Sequence, residues 1–226
     1  MTYNLIGVGN NAKTIKGDGS EYMTAIMYLK PHKTMWKGKV RNICPMADKA
    51  GCVEGCLNTA GRGVMSNVQA GRLRKTELLF EDRKHFINLL KTDITVFNRR
   101  TINRAIQPCV RLDGTSDNQF ERFGIMEQFP AVQFYDYTKI VKRAYKKLPS
   151  NYHLTLSYSE ANPEYANEVK QAVDDTGVNM AVVFGVKSAD DFPATFRGLP
   201  VINGDKDDLR FLDPAHCVVG LIAKGK

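Results

Sequence analysis

The feature that most constrains the fold is a repeated alternation of short apolar runs with helical segments. The apolar runs lie at residues 22–29, 109–114, 131–137, 153–159, 180–185, 199–204 and 217–224. Helical patterning lies between most of them, at about 67–104, in a basic segment ending at 148, and at 163–175. A strand, a helical crossover and another strand in repetition indicate a parallel sheet. Seven such strands predict an α/β fold, namely a partial or complete TIM-like (β/α) barrel.

Length and composition favour one domain over residues 1–226. The 226 residues contain 43% hydrophobic and 25% charged residues, close to the averages of globular proteins. No apolar run approaches the roughly 20 residues that a membrane span needs. The N-terminus also lacks the pattern of a secretory signal, so we expect a cytoplasmic protein.

Polar side chains follow several of the predicted strands at their C-terminal ends, where the active sites of (β/α) barrels lie. The candidate site residues at these positions are Arg111, Asp113, Asp117, Asp136, Ser157 and Glu160. The alternative is ordinary turn and capping chemistry, because Asp and Ser favour such positions in any fold. The sequence therefore predicts a polar rim, and leaves open whether each residue serves function or local structure.

The loop at 43–63 contains three of the five cysteines, Cys44, Cys52 and Cys56, in a C-x7-C-x3-C pattern. Three thiolates from one short loop can hold three corners of a [4Fe–4S] cluster and leave the fourth iron open. Arg62, which follows them, is a candidate for binding an anion or the cluster. A structural zinc site and three unrelated buried thiols are the alternatives.

The formal net charge of +8 permits a polyanionic partner. Basic residues gather at 71–75, 98–104 and 139–147, where solvated helix faces are the simpler interpretation. No known nucleic-acid-binding motif accompanies them. Nucleic acid is therefore a candidate partner on charge alone.

The chain resembles a family of tailed-bacteriophage proteins of unknown function that are designated only by a gene-product number. The stretches that carry the resemblance are "GNNAKTIKG" (9–17), "CPMADKAGCVEGCLNTAGRG" (44–63), "RLDGTSD" (111–117), "FYDYTK" (134–139), "LTLSYSEAN" (154–162), "DLRFLDP" (208–214) and "VVGLIAKG" (218–225). They span nearly the whole chain. The resemblance implies a bacteriophage protein that acts in the cytoplasm of the infected host.

A looser resemblance is to radical S-adenosylmethionine enzymes, which carry three cluster cysteines in the loop after the first strand of a partial (β/α) barrel. Their usual spacing is C-x3-C-x2-C, which differs from the spacing here. The resemblance implies S-adenosylmethionine as a candidate second cofactor at the open iron. It also implies radical or redox chemistry on a small molecule.

Two functions follow as expectations from the sequence. The first is a phage-encoded iron–sulfur protein with a radical-SAM-like or redox activity. The second is a non-enzymatic, nucleic-acid-associated protein in which an iron–sulfur or zinc site stabilises the fold.

Overall fold

The computed structural model describes residues 4–8, 21–53, 55–56, 58 and 61–223. The "GNNAKTIKG" stretch at 9–17 lies outside the described residues, as do four positions of the cysteine loop and residue 224 of the last predicted strand. All statements below concern the described residues.

The described residues form eleven strands and four α-helices. The strands are β1 (Ile6–Val8), β2 (Tyr22–Met27), β3 (Lys33–Trp36), β4 (Lys39–Asn42), β5 (Gln107–Arg111), β6 (Gln133–Thr138), β7 (Tyr152–Ser157), β8 (Met180–Phe184), β9 (Thr195–Phe196), β10 (Leu199–Asn203) and β11 (Val218–Ile222). The helices are α1 (Ser66–Glu81), α2 (Arg83–Ile102), α3 (Ile125–Gln128) and α4 (Pro163–Thr176).

Nine strands form one sheet in the order β1-β2-β5-β6-β7-β8-β11-β10-β9. The seven strands from β2 to β10 in this order run parallel, and β1 and β9 add an antiparallel strand at each edge. Within the described part of the chain no pairing joins β1 to β9, so the sheet is open. The described sheet therefore does not close into a complete barrel. The prediction of a partial barrel stays a prediction.

The helices cover one face of the sheet. Leu90 and Ile94 of α2 share a buried cluster with Val110 of β5. Val169 of α4 packs with Met180 of β8 in a second buried cluster. These contacts follow from the amphipathic pattern of both helices, whose apolar residues face the sheet.

The opposite face of the sheet is covered in part by the segment 204–217, which contains a 3-10 turn at Arg210–Leu212. The ring of Phe211 lies 5.4 Å from the ring of Tyr22 and 5.6 Å from that of Tyr135. This segment therefore packs its aromatic side chain on β2 and β6, on the side of the sheet away from the helices.

The structure has a strand at each of the seven predicted positions, with shifts of a few residues at the ends. The long helical segment is two helices, because the carboxylate of Asp82 accepts a hydrogen bond from His85 N (2.9 Å) and caps α2. The predicted basic helix before β7 is wrong. Only a 3-10 turn at Val141–Arg143 forms there, and Arg143 turns inward to the carboxylates of Asp117 and Glu121 instead of lying on an exposed helix face.

None of the helices in the described part of the chain has the length and apolar composition that a membrane span requires.

Candidate functional site

The three cysteines of the loop at 43–63 do not gather with other described side chains as metal ligands. Among the residues that the structure describes, which include Cys44, Cys52 and Cys56, no group of three or more His, Cys, Asp or Glu side chains could hold a metal ion. The predicted [4Fe–4S] cluster is therefore wrong, and so is the zinc alternative. The radical-SAM-like activity and the S-adenosylmethionine site depended on that cluster, and they have no remaining support.

The surroundings of Cys44 explain its burial without a metal. Its Sγ accepts a hydrogen bond from His32 N (3.3 Å) and lies 3.8 Å from the carbonyl oxygen of Thr115. Burial raises the pKa of the Cys44 thiol to about 12, and burial also raises the pKa of Cys52. Burial therefore favours the protonated thiol over the reactive thiolate at both positions.

Three of the predicted site residues do meet at the C-terminal ends of β5 and β6. The Asp136 carboxylate accepts hydrogen bonds from Asp113 N (2.8 Å) and from the hydroxyl of Tyr152 (3.2 Å). Oδ1 of Asp113 accepts from the hydroxyl of Ser116 (2.5 Å), while its buried Oδ2 has no partner among the described residues. We call Asp113, Asp117 and Asp136, with Arg143, the carboxylate cluster.

Arg143 supplies the positive charge of the carboxylate cluster. Its guanidinium lies 3.3 Å from the Asp117 carboxylate and 3.0 Å from that of Glu121, and it donates to the Tyr152 hydroxyl over 2.7 Å. A buried carboxylate needs such a partner, since an unpaired charge away from water costs several kcal/mol. The sequence does not reveal this role, because Arg143 lies in a basic segment whose pattern predicts an exposed helix.

Burial raises the pKa of all three aspartates in the carboxylate cluster. The pKa of Asp136 rises to about 6. That of Asp113 lies well above its usual range, first because of burial and then because of the charges of Asp136 and Asp117. Burial also raises the pKa of Asp117, and the hydrogen bonds that Lys139 N and the Thr138 hydroxyl donate to it act in the opposite direction. Burial thus disfavours the ionised form of both Asp113 and Asp136, and the charge of Asp136 further disfavours ionisation of Asp113.

The carboxylate cluster fixes a loop that supports the chain before and after the β3–β4 hairpin. In this loop Gly114 N donates to Met27 O (3.0 Å) and Asp117 N donates to Ile43 O (2.9 Å). The hydroxyl of Thr115 donates to Leu29 O (2.5 Å). The loop that carries Asp113 and Asp117 is thus hydrogen-bonded to the chain on both sides of the hairpin.

The other predicted site residues lie elsewhere. Arg111 points to the opposite face of the sheet, where its guanidinium lies 2.6 Å from the buried carboxylate of Asp208 and 4.9 Å from the ring centre of Tyr137. Ser157 accepts the Tyr165 hydroxyl on its backbone carbonyl (2.7 Å), and Glu160 and Arg62 are exposed. The seven predicted ligand-binding residues therefore do not form one site.

The β3–β4 hairpin stands apart from the main sheet as a separate two-stranded ribbon. Its two-residue turn has positive φ at Lys37 (46°) and Gly38 (74°), as a type I′ turn requires. Thr34 is buried, and the Trp36 ring lies 6.4 Å from that of Phe80 on α1. One face of the ribbon is thus held against the protein.

The hairpin sequence "KTMWKGKVRN" has four basic residues and no acidic one. Lys33 pairs with Asp48 (2.9 Å) and Lys37 with Glu81 (2.7 Å), both at the surface. Lys39 and Arg41 on β4 are exposed, and neither contacts a charged partner among the described residues. The hairpin is not among the strands predicted from the sequence. The sequence signal for it is Lys37-Gly38, a two-residue turn with glycine between two short stretches of alternating residues.

A family model described as Gene product 88 matches residues 4–226. The chain belongs to the Gene product 88 family. Comparison of this Gene product 88 chain with curated proteins and with solved structures gives no significant match. The family carries no stated activity, so the function has to be argued from the site itself.

Proposed function

We propose that this Gene product 88 protein binds duplex DNA through the β3–β4 hairpin. The observation that carries the proposal is four basic side chains, without an acidic one, on a ten-residue ribbon that forms a two-stranded sheet of its own. Basic side chains bind the phosphate backbone of nucleic acids and release its condensed counterions. The net charge alone left the nucleic-acid-binding surface undefined, and the hairpin is our proposal for that surface. This proposal does not depend on any metal.

The ion pairs at the hairpin leave its charge available to a phosphate. Both partners in the Lys33–Asp48 pair are more than half exposed, and Lys37 and Glu81 are similarly placed. Exposed pairs of this kind contribute only about 0–1 kcal/mol, so a DNA phosphate can replace the carboxylate. Lys39 and Arg41 are already exposed to solvent. Lys39 and Arg41 share the face of their cross-strand partners Trp36 and Thr34, whereas Lys33 lies on the opposite face, so the cations of the hairpin can reach phosphates on both sides of the ribbon.

The shape of the hairpin also fits duplex DNA. The major groove of B-DNA is about 12 Å wide and admits a two-stranded β-ribbon. Hydrogen bonds from Gly114 and Asp117 hold the chain on both sides of the ribbon, and the Trp36–Phe80 contact holds its inner face. A ribbon fixed in this way loses little conformational entropy on binding, which favours affinity.

The proposal places a phage-encoded protein in the cytoplasm of the infected host, because phage DNA is copied and expressed there. Its support is the resemblance of the chain to tailed-bacteriophage proteins together with the basic hairpin. Expression with and without phage DNA in a host cell, followed by fractionation, would test this location.

The direct test is binding of a fluorescent 20-base-pair duplex, measured by anisotropy at low salt. We expect the double variant Lys39→Gln/Arg41→Gln to bind at least about tenfold more weakly than the wild type, because two of its phosphate-binding cations are removed. The matched control is Lys142→Gln/Lys147→Gln, which removes the same charge from two exposed lysines outside the hairpin. Equally weakened binding in the two variants would show that net charge, and not the hairpin, attracts the DNA.

A further inference from the structure

A pocket lies at the N-terminal ends of the parallel strands, opposite the ends that carry the carboxylate cluster. Its volume is about 330 Å³, which is enough for a small organic molecule. Glu21 and Tyr22 at the start of β2, Gln133 at the start of β6 and Phe211 of the segment 204–217 line it. None of the described lining residues is Lys, Arg or His.

Two aromatic rings in the wall of the pocket stand at a steep angle to each other. The ring centres of Tyr22 and Phe211 lie 5.4 Å apart, and their planes are inclined by 67°. Phe211 also contacts the ring of Tyr135 (5.6 Å), which holds it on the sheet. Both Tyr22 and Phe211 are half-buried, so each ring keeps surface that a ligand can contact. The faces of aromatic rings carry negative potential and attract cations.

The polar side chains of the pocket also favour a cation. Burial and then the charge of Glu21 raise the pKa of the Tyr22 hydroxyl, which places the carboxylate beside that ring. The amide nitrogen of Gln133 donates to the carbonyl oxygens of Phe134 (2.8 Å) and Asn151 (3.2 Å). Both of its hydrogens are thus used, and the amide oxygen of Gln133 is what it can offer to a ligand. Carboxylate, amide oxygen and ring faces all suit a positively charged ligand.

Hydrogen bonds hold one wall of the pocket in place. The side-chain nitrogen of Asn151 donates over 3.0 Å to each of three carbonyl oxygens, those of Met126, Phe129 and Val132. These bonds fix the turn that leads into Gln133. A ligand therefore does not have to order this wall when it binds, which favours affinity.

We propose that this pocket binds a small organic cation with an alkylated ammonium group. Two inclined rings beside a carboxylate form the kind of aromatic cage that recognises quaternary ammonium groups. An anionic ligand is disfavoured, since the charged side chain among the described lining residues, Glu21, is negative. The inference is independent of the proposed DNA binding, because the pocket lies at the start of β2 and the hairpin follows the end of that strand.

The test compares choline with neohexyl alcohol, its uncharged carbon analogue of the same shape, by isothermal titration calorimetry of the full chain. We expect choline to bind at least about fivefold more tightly, because only the cation is attracted by the ring faces and the carboxylate. Equal affinity for the two molecules would show an apolar pocket and overturn the inference. Absence of saturable choline binding would overturn it as well.

Two variants assign choline binding to the pocket. Phe211→Leu removes a ring face and Glu21→Gln removes the charge, and each should weaken choline binding at least about threefold while leaving binding of neohexyl alcohol nearly unchanged. The matched controls are Phe123→Leu and Glu160→Gln, which change a partly exposed ring and an exposed carboxylate outside the pocket. Both controls should bind choline like the wild type. Unchanged choline affinity in the two pocket variants, or an equal loss in the controls, would overturn the assignment.

Discussion

Gly114 shows how a single residue links the buried sheet to the exposed hairpin. A Cβ at this position would lie 2.7 Å from Cγ2 of Ile26 and 2.8 Å from the carbonyl oxygen of Met27. Such distances are too short for real contacts, so only glycine allows the loop to approach β2 and donate its N–H to Met27. The position of the loop therefore depends on the absence of a side chain as much as on the carboxylates around it.

The protonation of Asp113 and Asp136 predicts how stability varies with pH. Both carboxyls have a raised pKa in the folded protein, about 6 for Asp136, against about 4 in the unfolded chain. The folded state thus holds protons that the unfolded state releases between these values. The contribution of these two carboxyls to the free energy of unfolding should therefore be greatest below about pH 4 and fall as pH rises to 7, by on the order of 1–3 kcal/mol.

The Asp113→Asn variant should make this fall smaller, because the amide cannot ionise and keeps the acceptor for Ser116. Urea unfolding at pH 5, 6 and 7 measures the effect. Glu160→Gln, which removes an exposed carboxylate, is the control and should leave the pH dependence unchanged. A wild-type protein that gains stability between pH 5 and 7 would contradict the raised pKa values.

The sequence predicts part of this residue-level arrangement. Asp113, Asp117 and Asp136 are expected to meet because parallel strands end at one edge of the sheet. Arg143 and Tyr152 are not predicted, since nothing in the spacing of a basic segment shows which cation will be buried. The metal prediction for the cysteines fails because proximity in sequence does not ensure the geometry that metal binding requires.

At the scale of elements, the hairpin turn and the end of α4 offer a matched pair of glycines. Gly38 (φ 74°) lies in the hairpin turn and Gly177 (φ 72°) ends α4, and both adopt the left-handed conformation. Alanine at either position should cost about 1–2 kcal/mol locally. Because the hairpin contributes little to the core, Gly38→Ala should weaken DNA binding and lower the free energy of unfolding by no more than this local cost.

Gly177→Ala should lower the free energy of unfolding and leave DNA binding unchanged, since it weakens a helix that packs on the main sheet and lies outside the hairpin. Thermal unfolding and DNA titration of both variants measure this. A decrease in DNA affinity in Gly177→Ala as large as that in Gly38→Ala would show that the hairpin does not bind independently of the core.

The strands of the main sheet can be predicted from the sequence more readily than the short strands β3 and β4. The parallel strands are apolar because they are buried on both faces, and that pattern is strong even over five residues. Strands β3 and β4 are short and largely exposed, so no apolar pattern marks them. The sequence also does not predict that the sheet is open, because apolar runs do not indicate which strands lie at the edges.

At the scale of the whole molecule, some of the positive charges are buried and others are accessible to a partner. Arg111, Arg143 and Arg210 are buried in pairs with carboxylates, so they contribute to the net charge without being accessible to a partner. The exposed cations are therefore the relevant ones, and the hairpin concentrates four of them on one ribbon. We accordingly assign stability to the helices and buried networks, and binding to the hairpin.

The salt dependence of DNA binding tests this central claim most directly. The logarithm of the association constant is measured against the logarithm of salt concentration for the wild type and for Lys39→Gln/Arg41→Gln. Removing two phosphate-binding cations predicts a slope about 1.8 shallower in the variant, since each neutralised phosphate contributes about 0.9. Parallel lines for the two proteins would contradict the assignment of DNA binding to the hairpin.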